Sequence, residues 1–119
     1  MLLYFYRKTN GRSLVRDYFE CLSQRAQAKA VSFVKLLAES GGKLGMPYAR
    51  HINGKIWKLR VDYGDLYHRI FYLILERNEV IFLHGYDKKT NKAPTKEINL
   101  AINNYNDFIN NPNFEKYEC

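Results

Sequence analysis

Residues 55–86 read KIWKLRVDYGDLYHRIFYLILERNEVIFLHGY, and this stretch decides the fold. Its apolar residues recur at every second position, the period of a half-buried strand. Three strands are predicted, Lys55–Asp62, Leu66–Glu76 and Glu79–Tyr86, all rich in β-branched and aromatic residues. Tyr63-Gly64 and Arg77-Asn78 read as two-residue hairpin turns. With those turns Lys58 faces Arg69, Arg60 faces Tyr67, Phe71 faces His84 and Arg69 faces Tyr86. One sheet face then carries Trp57, Leu59, Val61, Leu66, His68, Ile70, Tyr72, Ile74, Ile81 and Leu83, a core face. The other carries Lys58, Arg60, Tyr67, Arg69, Phe71, His84 and Tyr86. The same turns set Asp62 against Asp65 and Glu76 against Glu79, a mildly unfavourable arrangement of like charges.

Outside the stretch, the period is helical. Leu2–Tyr6 reads as a first strand. After Asn10-Gly11, Ser13 is a candidate cap for a short helix with Leu14, Tyr18 and Leu22 on one side. A second helix is expected over Gln24–Glu39, with Ala30, Phe33, Val34 and Leu37 as its apolar stripe and Gly41-Gly42 as its stop. Two helices so closely joined should pair antiparallel. Lys43–His51 reads as a loop stiffened by Pro47, and Lys88–Lys92 as a basic loop. Pro94-Thr95 opens a third helix presenting Ile98, Ala101, Ile102, Tyr105, Phe108 and Ile109. Asn110-Asn111-Pro112 ends it, residues from about 111 onward read as a polar tail, and the acidic end Glu115–Cys119 reads as disordered. The expected architecture is α+β: an antiparallel sheet with helices on one side, in a single domain spanning 1–119.

With 119 residues and 46% hydrophobic side chains, such a domain can bury a sizeable core. The chain has no run of about 18 apolar residues, the length a membrane span needs. It opens apolar and then basic, the reverse of a secretory signal. Cys21 and Cys119 are too few for a metal cluster, and His51, His68 and His84 lie in no metal-binding motif, so no metal or other cofactor is implied. One disulfide is conceivable, but two reduced thiols in a cytoplasmic protein is the plainer reading. The formal charge is +7. Residues 43–96 carry eleven basic and five acidic side chains, whereas residues 97–119 carry one and four. A basic excess fits either plain solubility or a polyanionic partner.

The polar sheet face bears on that choice. It brings together cations, two phenols, a phenylalanine and an imidazole. Cations neutralise phosphate, and rings offer stacking surfaces to unpaired bases. Lys88, Lys89 and Lys92 extend the face, and few carboxylates share it. A solvated face laced with ion pairs is the alternative. No P-loop, nucleophile elbow or dinucleotide fingerprint is present. RNA needs no protein nucleophile, because its own 2′-hydroxyl attacks the adjacent phosphate. The protein must then supply a base, an acid and positive charge. Arg60, Arg69 and Lys58 suit the charge role. His84 has a side chain that ordinarily titrates near neutrality. Tyr86 or a lysine of lowered pKa can also move protons. His84 reads equally as a strand histidine bonded to a neighbour, and Tyr86 as a packed ring.

An ordered series of motifs accompanies this face. It comprises Leu44-Gly45-Met46-Pro47, Trp57-Lys58-Leu59-Arg60, Tyr67-His68-Arg69-Ile70-Phe71-Tyr72, Leu83-His84-Gly85-Tyr86-Asp87-Lys88-Lys89-Thr90, Pro94 and Lys96-Glu97-Ile98. The series resembles the HigB-like, phage-associated branch of the RelE/ParE toxin superfamily, from about Val15 to Phe108. The resemblance implies a RelE-like fold, with an N-terminal strand and helical hairpin on one face of a twisted antiparallel sheet and a C-terminal helix. It implies the toxin of a type II toxin–antitoxin system, an endoribonuclease that cuts mRNA within the ribosome without a metal. Its expected partners are a helix-turn-helix antitoxin, the ribosome and mRNA, in the cytoplasm and not at a membrane. Arg60 and Arg69 match the arginines expected at the scissile phosphate, His84 the histidine of the last strand, and Lys88 and Lys89 the basic pair after it. Tyr86 stands where this branch more often has Phe. The candidate catalytic residues are therefore Arg60, Arg69, His84, Tyr86 and Lys88, and the candidate RNA-binding residues are Lys55, Lys58, Tyr67, Lys89 and Lys92. Two other classes remain open: a non-enzymatic ParE-like inhibitor of DNA gyrase, and a simple nucleic-acid-binding module.

Overall fold

A computed structural model describes residues 2–40, 48–75, 79–89 and 94–117. In chain order the elements are β1 (Leu2–Tyr6), α1 (Leu14–Glu20), α2 (Gln24–Glu39), β2 (Ala49–Asn53), β3 (Ile56–Tyr63), β4 (Leu66–Leu75), β5 (Glu79–Asp87), α3 (Thr95–Asn110) and β6 (Phe114–Lys116). The fold is α+β. Its strands form one mixed sheet in the order β2-β3-β4-β5-β1-β6. All pairings are antiparallel except that of β1 with β5. Among the described residues, no helix is long and apolar enough to cross a membrane.

The helical hairpin covers one face. Ser13 caps α1 as expected: its Oγ accepts from the Arg16 amide at 3.2 Å and donates to the Tyr6 carbonyl at 2.7 Å. The buried side of α1 is Val15 and Phe19, whereas Leu14, expected to face inward, is exposed. From α2, Ala26, Ala30, Val34 and Leu37 are fully buried. They and α1 cover Leu59, Val61, Ile70 and Tyr72 of the sheet. The α3 helix, expected on this same side, crosses the other face. Glu97 of α3 bonds His84, the Asn104 amide donates to the Leu83 carbonyl, and Asp107 accepts from Tyr6. Ala101 and Phe108 form its buried side, and Ile109 points to solvent.

Two strands were not expected. Residues 49–53, within and beyond the anticipated loop, form edge strand β2. Asn53 faces Ile56, and Gly54-Lys55, with Gly54 at φ +52°, makes the turn into β3. Residues 114–116 lie in the anticipated polar tail, whose end from Glu115 was expected to be disordered; they pair with β1 as β6, and Arg16 holds Glu115 at 2.7 Å. The Gly41-Gly42 stop, the Arg77-Asn78 turn, Lys92 and Cys119 lie outside the described residues.

The β3–β4 turn is shifted by one residue from the expected place. Gly64, at φ +60°, and Asp65 are its central pair, and Tyr63 faces Leu66. Tyrosine resists the left-handed backbone such a turn demands at its first central position, and glycine adopts it without cost. The shift moves every partner by two residues, so each side chain keeps its face. It also removes the anticipated Asp62–Asp65 clash, because Asp62 now faces Tyr67.

The β4–β5 pairing carries a bulge. Phe71 faces His84, as expected, but the next pair is Tyr72 with Phe82. One extra residue, Leu83, therefore sits in β5. Beyond it the faces exchange: Ile81, expected beside Tyr72 and Ile74, pairs with Leu73, and Phe82 turns to the hairpin side against Phe5 and Phe19.

Gly85 marks where α1 meets this sheet. A Cβ there would lie 2.3 Å from Cδ2 of Tyr18, well inside contact distance. We predict that Gly85→Ala lowers stability by roughly 2–3 kcal/mol through this overpacking. A Tyr18→Ala background should recover most of that loss in a denaturant double-mutant cycle. Additive losses would show that the ring is not the obstacle.

Candidate nucleic-acid interface

The β3, β4 and β5 register stacks the candidate residues in cross-strand rows. Arg60, Arg69 and Tyr86 form one row, and Lys58, Phe71 and His84 the next. Asp62 and Tyr67 face each other one step toward the β3–β4 turn. At this end a cleft of about 600 Å³ opens. Arg60, Asp62, Asp65, Leu66, Tyr67, Arg69, Asp87, Lys88 and Lys89 line it.

Arg69 is the buried member, with only 3% of its surface exposed. Its Nη1 donates to Asp62 Oδ1 at 2.6 Å and to the His68 carbonyl at 2.9 Å. A buried guanidinium needs such partners. Arg60 stands directly opposite it, so the row opposes two permanent cations.

Lys58 is also buried. Desolvation, then the positive charges of Lys88, Arg69, Arg50 and Arg60, lower its pKa to about 8. A fraction of it is therefore neutral near physiological pH. It lies one row away from the cleft lining.

The rings lie side by side. Phe71 stacks with His84 at 6.1 Å and with Tyr86 at 5.8 Å between centroids. His84 is not a free imidazole, because its Nε2 meets Glu97 Oε2 at 2.5 Å. That contact pins the start of α3 to β5. The Tyr86 hydroxyl is buried without a hydrogen-bond partner among the described residues. Burial raises its pKa, Arg69 opposing and Glu97 adding to the shift.

A second network borders the cleft from the hairpin side. Tyr18 reaches past Gly85 to donate to Asp87 Oδ1 at 2.6 Å, and His68 Nδ1 lies 2.8 Å from the same oxygen. Burial alone would raise the Asp87 pKa, but these bonds and the charges of His68 and Lys89 bring it below the usual carboxylate value. Asp87 precedes Lys88 directly, and the Lys88 amide donates to the Tyr67 carbonyl at 2.7 Å. The exit of β5, and with it both lysines, is thereby fixed.

The register thus brings Arg60, Arg69, Tyr67, Lys88 and Lys89 to one cleft, with Lys58, His84 and Tyr86 on the same face behind it. Lys55 sits exposed in the β2–β3 turn, at the opposite end of β3. Sequence reasoning missed Asp62, Glu97 and Tyr18. Glu97 appears in the Lys96-Glu97-Ile98 motif and Tyr18 on the first helix, but neither pairing was legible, since their partners are distant in the chain. Asp62 was legible in principle, because strand parity puts it on the cationic face.

Among the described residues, no three His, Cys, Asp or Glu side chains converge to hold a metal ion. The sequence model of the phage-derived Gp49-like protein family (DUF891) matches residues 17–106. That span contains every residue lining the cleft. A search of curated proteins finds no match.

The Lys58 environment gives a stability signature. Its folded pKa is about 8, below the ordinary lysine value of 10.5 that it regains on unfolding. Between these values the unfolded chain binds more protons than the folded one, so this residue makes stability rise with pH from about 8 upward. At lower pH both states are protonated and the burial penalty is complete. Lys58→Met should be more stable than wild type at pH 7 and flatten the rise in denaturant midpoints between pH 8 and 10. An unchanged slope would place the titration elsewhere.

Proposed function

Because the chain belongs to the phage-derived Gp49-like family, we propose that it is the toxin half of a type II toxin–antitoxin module. In this reading it is a HigB-like member of the RelE/ParE superfamily that cuts translated mRNA in the cytoplasm, on the ribosome. A cognate antitoxin, of helix-turn-helix type, restrains it. The observation that supports this best is the Arg60–Arg69 row at the floor of a cleft flanked by Lys88 and Lys89. Four cations around a space of nucleotide size suit a phosphodiester. Tyr67, 46% exposed at the rim, offers a ring on which a base can stack.

In the proposed reaction the 2′-hydroxyl loses its proton and attacks the adjacent phosphorus. The pentacoordinate state collapses to a 2′,3′-cyclic phosphate, and the 5′ oxygen leaves with a proton. Arg60 and Arg69 stabilise the extra negative charge, which is greatest in that state. We assign proton removal to Lys58, whose neutral form is accessible. The proton for the leaving oxygen we assign to Lys88, whose positive charge acts most strongly on Lys58 after its own burial. His84, held by Glu97, acts here as a positioning residue for α3, and Tyr86 as the packed ring that supports Arg69.

Primer extension on cellular mRNA after brief induction tests this reading. Cuts within translated frames are expected for wild type, and Arg69→Ala should reduce them about 10²- to 10³-fold while the protein still folds, Arg60→Ala somewhat less. DNA damage with intact mRNA would instead mark a gyrase inhibitor, and neither outcome a simple binding module. In single-turnover cleavage on programmed ribosomes, the rate should climb as pH rises through about 8, because a base must be neutral to accept a proton. Lys58→Arg should lose both the rate and that climb. A falling profile would mean that Lys58 acts as a cation.

A further inference from the structure

The cationic cleft contains an acid for which phosphate binding has no direct use. Asp62 shares the face with Arg60 and Arg69, and its Oδ1 accepts a hydrogen bond from Arg69 Nη1 at 2.6 Å. The two partners differ sharply in exposure: 3% for the Arg69 side chain and 43% for that of Asp62. The guanidinium is also held from within by the His68 carbonyl at 2.9 Å, so it keeps an anchor if Asp62 swings away. A carboxylate meets a guanidinium with two anionic oxygens, as a phosphodiester does.

Resting on the RNA reading above, we propose that Asp62 is an internal competitor for the phosphodiester: it occupies the solvent side of Arg69 in the free protein and yields that place to an RNA phosphate. The physical basis is the like-charge row. Arg69 faces Arg60, with Lys58 and Lys88 nearby, and a buried cation in that field needs a counter-charge. Asp62 supplies it until the substrate does. A polyanion must then displace a formed ion pair before it is bound. RNA held by further contacts, as on a ribosome, can do so, whereas loosely held RNA competes poorly. Asp62 therefore sets discrimination and not only the position of Arg69.

The competing view is that Asp62 merely orients Arg69, and the two views predict opposite signs. The probe is a 12-nucleotide single-stranded RNA carrying 2′-O-methyl groups throughout, which cannot be cut by 2′-hydroxyl attack. Fluorescence anisotropy with the full chain at low salt should show Asp62→Asn binding roughly 3- to 10-fold tighter than wild type. Its log–log salt slope should steepen by about 0.7, the value for one more neutralised phosphate on a single strand. Asp65→Asn removes the same charge from the rim but not the carboxylate bonded to Arg69, and should give a smaller gain. Equal or weaker binding by Asp62→Asn, including no binding by either protein, overturns the proposal.

A second measurement covers a variant that folds poorly. In chloride, Asp62→Asn should melt below wild type, and inorganic phosphate should raise its melting temperature more than that of wild type. Asp62→Ser should behave alike. Equal gains also overturn the proposal. The Arg69→Ala cleavage result is read separately. Loss of cutting in that variant, together with no affinity gain in Asp62→Asn, removes the competitor role and leaves the nuclease reading standing.

Discussion

A single extra residue in β5 governs how this sheet serves two masters. Without a bulge, Phe82, His84 and Tyr86 would all share one face. With Leu83 inserted, Phe82 turns to the hairpin side, where Phe5 and Phe19 close over it. His84 and Tyr86 stay with Phe71 on the opposite side. The core under α1 gains a large ring, and the cationic face keeps its aromatic row. Gly85, two places on, completes the arrangement by letting the Tyr18 ring lie against the strand. Tyr18 can then reach Asp87 and fix the point where the lysines leave the sheet.

The same rows explain why the cleft opens at one end of the sheet. The α3 helix covers the polar face from His84 back toward β1, with contacts from Glu97, Asn104 and Asp107. The described elements leave the β3–β4 turn end uncovered, and the arginine row lies there. Excess charge in a basic protein is usually spread over a solvated surface. Here two of the cations are buried, Arg69 and Lys58, at a cost that generic solubility does not require.

Much of this was legible in the sequence, for identifiable reasons. Strand period fixes the face of each residue, so the cationic face emerged intact even though the first turn lies one position further on than expected. A turn error of that size moves partners by two and preserves parity. The bulge was not legible, because alternation around it is equally regular on paper, and Ile81 and Phe82 are both apolar. The β2 strand was overlooked despite Asn53-Gly54, a recognised hairpin signal. The β6 strand carried no signal, since three residues suffice only when a neighbouring edge is waiting. The role of His84 turned on Glu97, which reaches it from α3, thirteen residues further along the chain.

Burial of Arg69 also constrains what the site can be. A guanidinium held this deep, opposite another arginine, is stable only while some anion completes it. Asp62 does so from a half-exposed position, and the His68 carbonyl adds an uncharged, buried hydrogen bond. The backbone partner holds geometry and the carboxylate balances charge. A surface made solely for structure would have no reason to divide these tasks, since a second buried acceptor would serve better. In the proposed competitor role, that separation is what would let an RNA phosphate take the place of Asp62 while the His68 carbonyl keeps Arg69 in position.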